Sequence, residues 1–218
     1  MYNITLVCTN HSELGKCNSD ELHKIIELIN PDVIFEELSQ DLFDKFYKQN
    51  QIPDESPEIK SIKMYLRNHN IEHIPVDIDV SQDLSTSDIE YMFNTFKQYD
   101  VYKKLEDEQT LMTEQNGYVF LNSKRNDELI EKKKVTEKNL MQFMAFKSNF
   151  HSIWKLFYEE HDNRENKIIE NIYSYSKGNQ YNQAVLLIGS GHRKSIIEKI
   201  KNYKTQEKIK LNWKFYGS

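Results

Sequence analysis

The chain has 218 residues, of which 38% are hydrophobic and 12% aromatic, which is enough for a folded core and argues against disorder. Its 29 basic and 34 acidic residues give a net charge of −5 and are mixed along the sequence. We therefore expect no basic face for nucleic acid, and the tight lysine cluster at residues 132–134 is typical of a solvated helix surface.

Cysteine content and hydropathy indicate the compartment. Cys8 and Cys17 are the two cysteines, fewer than is usual in a secreted protein of this length. The first residues resemble a strand rather than a signal peptide, and no run of about 18 apolar residues occurs. We expect a cytoplasmic protein with no membrane partner.

Short apolar runs rich in β-branched residues predict five strands. They are residues 4–7, 33–35, 71–76, 184–188 and 209–215. The fourth run is apolar throughout, which indicates a strand covered on both faces, whereas the last alternates as a half-exposed edge strand does.

Helical spacing occupies the segments between these runs. Residues 19–29 repeat apolar side chains at helical spacing, with Asn18 or Ser19 as the N-terminal cap and Pro31 as the stop. Residues 57–68 and 192–203 are two further helix candidates. Strand and helix alternate at both ends of the chain, which predicts an α/β fold with a mostly parallel sheet and helices on both faces.

The middle of the chain breaks this alternation. From about residue 87 to 158, no strand is indicated beyond a short run at 118–121, and two stripes of apolar residues predict two long helices paired as a hairpin. A cofactor-binding or membrane-surface role for these side chains is the alternative. The stripes are Ile89, Met92, Phe93, Phe96 and Tyr99, and Phe143, Phe146, Phe150, Ile153 and Phe157.

We interpret residues 1–218 as a single domain. Its core comes from residues 1–80 and 160–218, and residues 82–160 form a helical insertion. The role of this insertion and the oligomeric state are open from the sequence.

Polar residues follow four of the predicted strands. His11 comes after the first, Glu37 after the second, Asp77 after the third and His192 after the fourth. In an open parallel sheet, ligands bind beyond the carboxyl ends of the strands. This convergence predicts one polar site at that edge.

The residue types at this edge suit two chemistries. Imidazoles and carboxylates together bind divalent metals such as manganese, cobalt or zinc, so His11, Glu37 and His192 are the candidate ligands. A bound metal activates water at neutral pH, which is the usual route to hydrolysis of a small-molecule or peptide substrate. Without metal, a histidine oriented by a carboxylate acts as a general base.

Structural interpretations stand beside the functional ones. Glu37 could cap a helix that begins near Ser39, and Asp77 could initiate a turn. Cys8 is expected to be a small buried hydrophobic residue, with a Cys8/His11 nucleophile pair as the weaker alternative. The remaining histidines, expected at the surface, are His23, His69, His73, His151 and His161.

A Gly-Ser-Gly turn at residues 189–191 joins a strand to a helix, as in phosphate-binding sites. It lacks the lysine of a P-loop, and Arg193 stands where a dinucleotide fingerprint has its third glycine. We interpret the turn as a device that presents His192, with Ser190, Arg193 and Asp77 as candidate substrate-binding residues. Nucleotide binding is a further alternative.

Both ends of the chain resemble the TraB/Tiki group, which is related to erythromycin esterases, GumN-type proteins and ChaN lipoproteins. Residues 8–11 read Cys-Thr-Asn-His and residues 31–38 read Pro-Asp-Val-Ile-Phe-Glu-Glu-Leu. Members of the group open with a Gly-Thr-x-His turn, followed by Pro-Asp and a strand that ends in Glu-Leu. Arg164 at a helix start and the second turn ending in His192 match the group's closing motifs. The resemblance covers about residues 1–80 and 160–205.

The resemblance implies an active-site cluster of His11, Glu37, Arg164 and His192. Tiki-type members are metal-dependent proteases, and the esterase branch hydrolyses a macrolide lactone. Cys8 departs from the first glycine of the group's motif, and no anchor of the Tiki kind is expected in this chain.

Two hypotheses follow. The first is a metal-assisted hydrolase of ester or peptide bonds, in which Arg164 stabilises developing negative charge or binds a substrate carboxylate. The second is a non-catalytic binding or regulatory protein of the same fold that sequesters a peptide, an anion or a haem-like ligand.

Overall fold

The structure, a computed structural model, describes residues 2–49, 56–79, 85–144, 149–206 and 208–217. Within these ranges the strands are β1 (Tyr2–Thr9), β2 (Val33–Glu36), β3 (Glu72–Pro75), β4 (Gln183–Gly189) and β5 (Leu211–Phe215). They form one sheet in the order β3-β2-β4-β1-β5, and every neighbouring pair is parallel. The predicted α/β class with a parallel sheet is confirmed.

Helices connect these strands. They are α1 (Ser19–Ile29), α2 (Gln40–Phe43), α3 (Pro57–Leu66), α4 (Thr86–Phe96), α5 (Asp100–Leu121), α6 (Lys124–Phe143), α7 (Phe150–Gly178) and α8 (Arg193–Gln206). A π-helical turn (Asp44–Lys48) follows α2, and a 3₁₀ turn (Ser190–His192) leads into α8. Among the described residues, no helix combines the length and the apolar character needed to cross a membrane.

The ends of α1 follow from local chemistry. Asn18, rather than Ser19, is the cap, because its side chain accepts a hydrogen bond from the backbone N–H of Glu21 at 3.0 Å. At the other end Asn30 adopts a left-handed conformation with φ 48°, and its N–H donates to the carbonyl of Ile26 at 2.9 Å. Pro31 then directs the chain into β2.

The sheet is covered on both faces, as the apolar fourth run predicts. In β4, Ala184, Leu186 and Ile188 belong to a core that includes residues of α7 and α8. Val185 and Leu187 point to the opposite face, where α1, α3 and the end of α5 pack. β5 lies at one edge of the sheet, in agreement with its alternating pattern.

The predicted hairpin of two aromatic helices is wrong, although part of the predicted seam exists. α4 packs against α7, but α5 and α6 lie between them along the chain. The rings of Phe96 and Phe150 pack with their centroids 6.0 Å apart. Phe143, expected to be buried, is 83% exposed, and Phe146 lies outside the described residues.

The run at residues 118–121, indicated as a short strand, is the last turn of α5. It follows a kink at Gly117, where φ is 54° and ψ is −137°. Just beyond it, the side-chain amide of Asn122 bonds both backbone groups of Cys8, at 2.8 and 2.9 Å. The pairing of β1 with β5 ends at Leu6, and Asn122 supplies hydrogen-bond partners to β1 beyond that point.

Residue 117 has to be glycine because its backbone conformation and its close neighbours both exclude a side chain. A Cβ atom there would lie 2.5 Å from the carbonyl oxygen of Lys16. We expect Gly117→Ala to lower the free energy of unfolding by about 2 kcal/mol or more, because positive φ and the clash both penalise alanine. Gly178→Ala is the matched control, since a Cβ at Gly178 would have no atom within 4 Å. Urea denaturation measures both, and equal effects would contradict the requirement for glycine at residue 117.

Candidate functional site

Glu37 lies at the centre of the polar residues at the sheet edge. Its side chain is 6% exposed, and Oε1 accepts a hydrogen bond from Nη2 of Arg164 at 2.9 Å. Oε1 also lies 3.2 Å from Nε2 of His192, and Oε2 accepts the backbone N–H of Gly189 at 2.6 Å. One carboxylate thus connects the end of β2 with the end of β4 and with α7, and it is not the cap of a helix.

Arg164 is fixed by a second carboxylate. Its Nε donates to the two oxygens of Asp77 at 3.2 and 3.0 Å, and its Nη2 also contacts Asp77. Asp77, predicted to bind substrate, is therefore occupied by Arg164. The Arg164 side chain is 17% exposed, so part of the guanidinium is open to a ligand.

His192 lies between two carboxylates and is buried. Its Nδ1 lies 2.8 Å from Glu165, and its Nε2 faces Glu37. Glu165 also accepts hydrogen bonds from Ser195 at 2.5 Å and from Lys199 at 2.9 Å. Burial lowers the pKa of His192, but the hydrogen bonds and charges of the two glutamates outweigh burial and raise the pKa to about 9.

His11 reaches the same cluster from β1. Its Nδ1 lies 3.1 Å from Oε1 of buried Glu58, whose hydrogen bond is the main cause of a raised pKa for His11. A Cβ on Gly189 would lie 3.2 Å from Nε2 of His11 and 3.4 Å from Oε2 of Glu37. The absence of a side chain at Gly189 therefore lets His11 approach Glu37 across the end of β4.

The two histidines share one arrangement. Each has Nδ1 on a buried glutamate, Glu58 or Glu165. Nε2 of His192 lies 3.2 Å from Glu37, and Nε2 of His11 and Oε2 of Glu37 both lie beside Gly189. This orientation by a carboxylate is typical of metal-binding histidines. In the part of the chain that the structure describes, however, no three His, Cys, Asp or Glu side chains are placed to hold a metal ion. The predicted ligands come together, but as hydrogen-bonded ion pairs.

A groove of about 300 Å³ adjoins this cluster between α6, α7 and the start of α8, and Ser190 and Glu165 line it. His161 also lines the groove and stacks on His192, with ring centroids 4.6 Å apart. Burial, together with the positive charges of His192 and Arg164, lowers the pKa of His161 to about 3. The expectation that His161 is a surface residue is wrong; it is an uncharged imidazole beside the site.

Arg193 and Cys8 take structural roles. Arg193, a candidate for substrate binding, is buried and bonds Asp127 at 2.5 Å, which joins the start of α8 to α6. Cys8 is completely buried, and burial raises the pKa of its thiol. The small hydrophobic role of Cys8 is confirmed, and the Cys8/His11 nucleophile pair is wrong.

A second buried imidazole–carboxylate pair lies beside the site. His73 on β3 lies 2.8 Å from Glu36 on β2, and both side chains are buried. The hydroxyl of Tyr47 also donates to Glu36, at 3.1 Å. The expected surface position of His73 is therefore wrong, because its strand places the side chain directly against the neighbouring strand.

No protein-family model, curated protein or solved structure matches this chain. The resemblance to the TraB/Tiki group stays a prediction that depends on the short motifs around His11, Glu37 and His192. Function is therefore inferred from the geometry of the site itself.

The pairing of His192 with Glu37 predicts a stability optimum. The pKa of Glu37 is about 2, below its ordinary 4.5, so its contribution is lost as pH falls from 4.5 through 2. The pKa of His192 is about 9, above its ordinary 6.5, so its contribution is lost as pH rises from 6.5 through 9. We expect metal-free protein to be most stable between pH 4.5 and 6.5.

Urea denaturation with and without His192→Gln measures the alkaline part of this profile. We expect the difference in unfolding free energy between the two proteins to shrink between pH 6.5 and 9. A constant difference over this interval would show that His192 does not gain a proton on folding.

Proposed function

We propose that this protein is a hydrolase of ester or peptide bonds that acts at the sheet edge around Glu37. The observation that carries the proposal is the arrangement of two carboxylate-held imidazoles, from His11 and His192, around one buried carboxylate that also binds Arg164. These groups suit proton transfer and the stabilisation of negative charge that develops on a carbonyl oxygen.

The groove beside His192 supports a peptide or polar small-molecule substrate. Its charged lining residues are largely paired, for example Glu131 with Lys194 at 3.2 Å. Such a mixed lining favours a ligand with both donors and acceptors over a strongly anionic one, which weighs against nucleotide binding. The uncharged His161 supplies a further hydrogen-bonding group there.

The residues of the cluster take distinct roles in this proposal. Glu37 orients the groups around it through its bonds with Arg164, His192 and Gly189, and His192 holds a proton between two carboxylates. Arg164 offers the exposed part of its guanidinium to a substrate oxygen, while Asp77 fixes the guanidinium through Nε and Nη2. Asp77 is therefore a positioning residue rather than a substrate ligand.

A divalent metal belongs to the same proposal. Manganese, cobalt or zinc would be held by His11, Glu37 and His192, whose donor types and Nδ1 contacts fit such an ion. A bound metal would supply an activated water at neutral pH. A metal ion would have to displace the proton between His192 and Glu37 and would be repelled by the positive charge of Arg164. We therefore expect the affinity of the protein for the metal to rise with pH.

A second candidate function is a non-catalytic protein that sequesters a peptide, an anion or a haem-like ligand. The observation that favours it is that the cluster satisfies its own hydrogen bonds: both nitrogens of His192 and both oxygens of Glu37 have protein partners. A closed ion-pair network holds a groove in shape without taking part in turnover.

Metal analysis and turnover assays on untagged protein separate these functions. We expect ester or peptide cleavage in the presence of manganese, cobalt or zinc, and a loss of at least about 100-fold in kcat for His11→Ala and His192→Ala. His151→Ala, an exposed histidine of α7, is the matched control and keeps full activity. Absence of both bound metal and turnover would contradict the hydrolase, and tight ligand binding without turnover would support the second function.

A further inference from the structure

A second, smaller cavity lies on the other side of the cluster, between the ends of β1 and β2 and the N-terminus of α3. Its volume is about 50 Å³, and none of its lining residues also lines the large groove. Its lining residues are Thr9, His11, Glu36, Glu37, Leu38, Ser56, Glu58, Ile59, Leu187 and Ile188.

Three oxygen atoms in this lining lack well-formed hydrogen bonds. Thr9 is 1% exposed and Glu58 is 5% exposed. Apart from the ion pair of Glu58 with His11 at 3.1 Å, neither the Thr9 hydroxyl nor the two Glu58 carboxylate oxygens have a partner in the described ranges. Burial raises the pKa of Glu58, but His11 and the nearby hydroxyls of Thr9 and Ser56 outweigh burial and lower it. The Thr9 and Glu58 oxygens nevertheless do not reach hydrogen-bonding geometry. Because buried polar atoms in folded proteins are almost always hydrogen bonded, these oxygens indicate a bound ligand.

Size and charge identify the ligand as water. A cavity of about 50 Å³ has room for one or a few water molecules and is too small for an organic ligand. Each carboxylate of the lining already has an imidazole or guanidinium partner, so the cavity requires hydrogen bonds rather than further positive charge. The pairs are Glu36 with His73, Glu37 with Arg164, and Glu58 with His11.

We infer that this cavity binds ordered water, held by the Thr9 hydroxyl and the Glu58 carboxylate, and that this water is the one consumed in hydrolysis. The second part rests on the proposed function. His11 and Glu37 line the same cavity, so the water lies beside the proposed reacting groups.

In the reaction, the water oxygen forms a bond to the substrate carbonyl carbon, and the ester C–O or amide C–N bond breaks. The Glu58 carboxylate takes a proton from the water and returns it to the departing oxygen or nitrogen. Atoms and charge therefore balance without any further reactant.

Thr9→Val tests the binding site without reference to activity, because valine keeps the shape and removes the hydroxyl. In crystals of the wild-type protein we expect a water peak within hydrogen-bond distance of Thr9 and Glu58, and its loss in the variant. We also expect the folding equilibrium constant of Thr9→Val to fall about fivefold, since a hydrogen bond to water is lost. In a dry cavity, removal of an unpaired hydroxyl would leave this constant unchanged or raise it.

Two further variants calibrate the result. Thr113→Val removes a buried hydroxyl that donates to the carbonyl of Gln109 at 2.7 Å, and it gives the cost of losing a known hydrogen bond. Glu58→Gln keeps a water partner and loses only the charge, so we expect the peak to persist. A cavity without ordered water, or one that holds a cation instead of water, would contradict the proposed water site.

Kinetics then test the role of the water. We expect Thr9→Val to lower kcat about tenfold at unchanged KM, whereas Thr113→Val leaves both unchanged. If the water disappears and kcat stays the same, the water is structural and its role in hydrolysis is excluded. If no ester or peptide is cleaved by the wild-type protein, the proposed function fails, while crystallography and stability still decide whether the site exists.

Discussion

A carboxylate buried at the end of a parallel sheet has to be compensated by positive charge and hydrogen bonds, since an unpaired buried charge costs several kcal/mol. Glu37 meets this requirement with groups from three separate parts of the chain: the N–H of Gly189, the guanidinium of Arg164 and the imidazole of His192. The same requirement fixes the relative positions of β2, β4 and α7. Asp77 and Glu165 complete this compensation. Asp77 pairs with Arg164 and Glu165 pairs with His192, so neither cation is balanced by Glu37 alone.

The helical insertion is connected to this cluster through α7. The first part of α7 packs against α4, and its later part lies on the sheet with Ile168 and Ile172, so Arg164 sits between two packing surfaces of one continuous helix. Buried Glu137 of α6 binds Trp154 and Tyr158 of α7 at 2.8 and 2.9 Å. These bonds join α6 to the part of α7 that forms the wall of the groove.

The rule that ligands bind at strand ends predicts His11, Glu37 and His192, which directly follow strands. The end of a strand fixes the position of the residues that come immediately after it. The rule missed Glu58, Glu165 and His161, which lie on helices. The position of a helical side chain relative to a sheet depends on how the helix packs, and a single sequence carries little information about this. Glu165 did offer a signal, since it directly follows Arg164. The five strands were predictable from apolar runs, whereas the 118–121 run was not, because the kink at Gly117 and the tertiary bonds of Asn122 decide its structure.

The two sides of the cluster differ in a way that bears on the chemistry. On the groove side, charged residues are paired with each other and a neutral imidazole, His161, faces the open space. On the cavity side, the oxygens of Thr9 and Glu58 lack well-formed hydrogen bonds. In the proposed hydrolysis, the groove would accept the polar substrate and the cavity would hold the water. A buried oxygen without a hydrogen bond destabilises the fold unless a water or another ligand satisfies it. The proposed hydrolysis gives a role to the placement of Thr9 and Glu58 beside Glu37, which a closed ion-pair network by itself does not require.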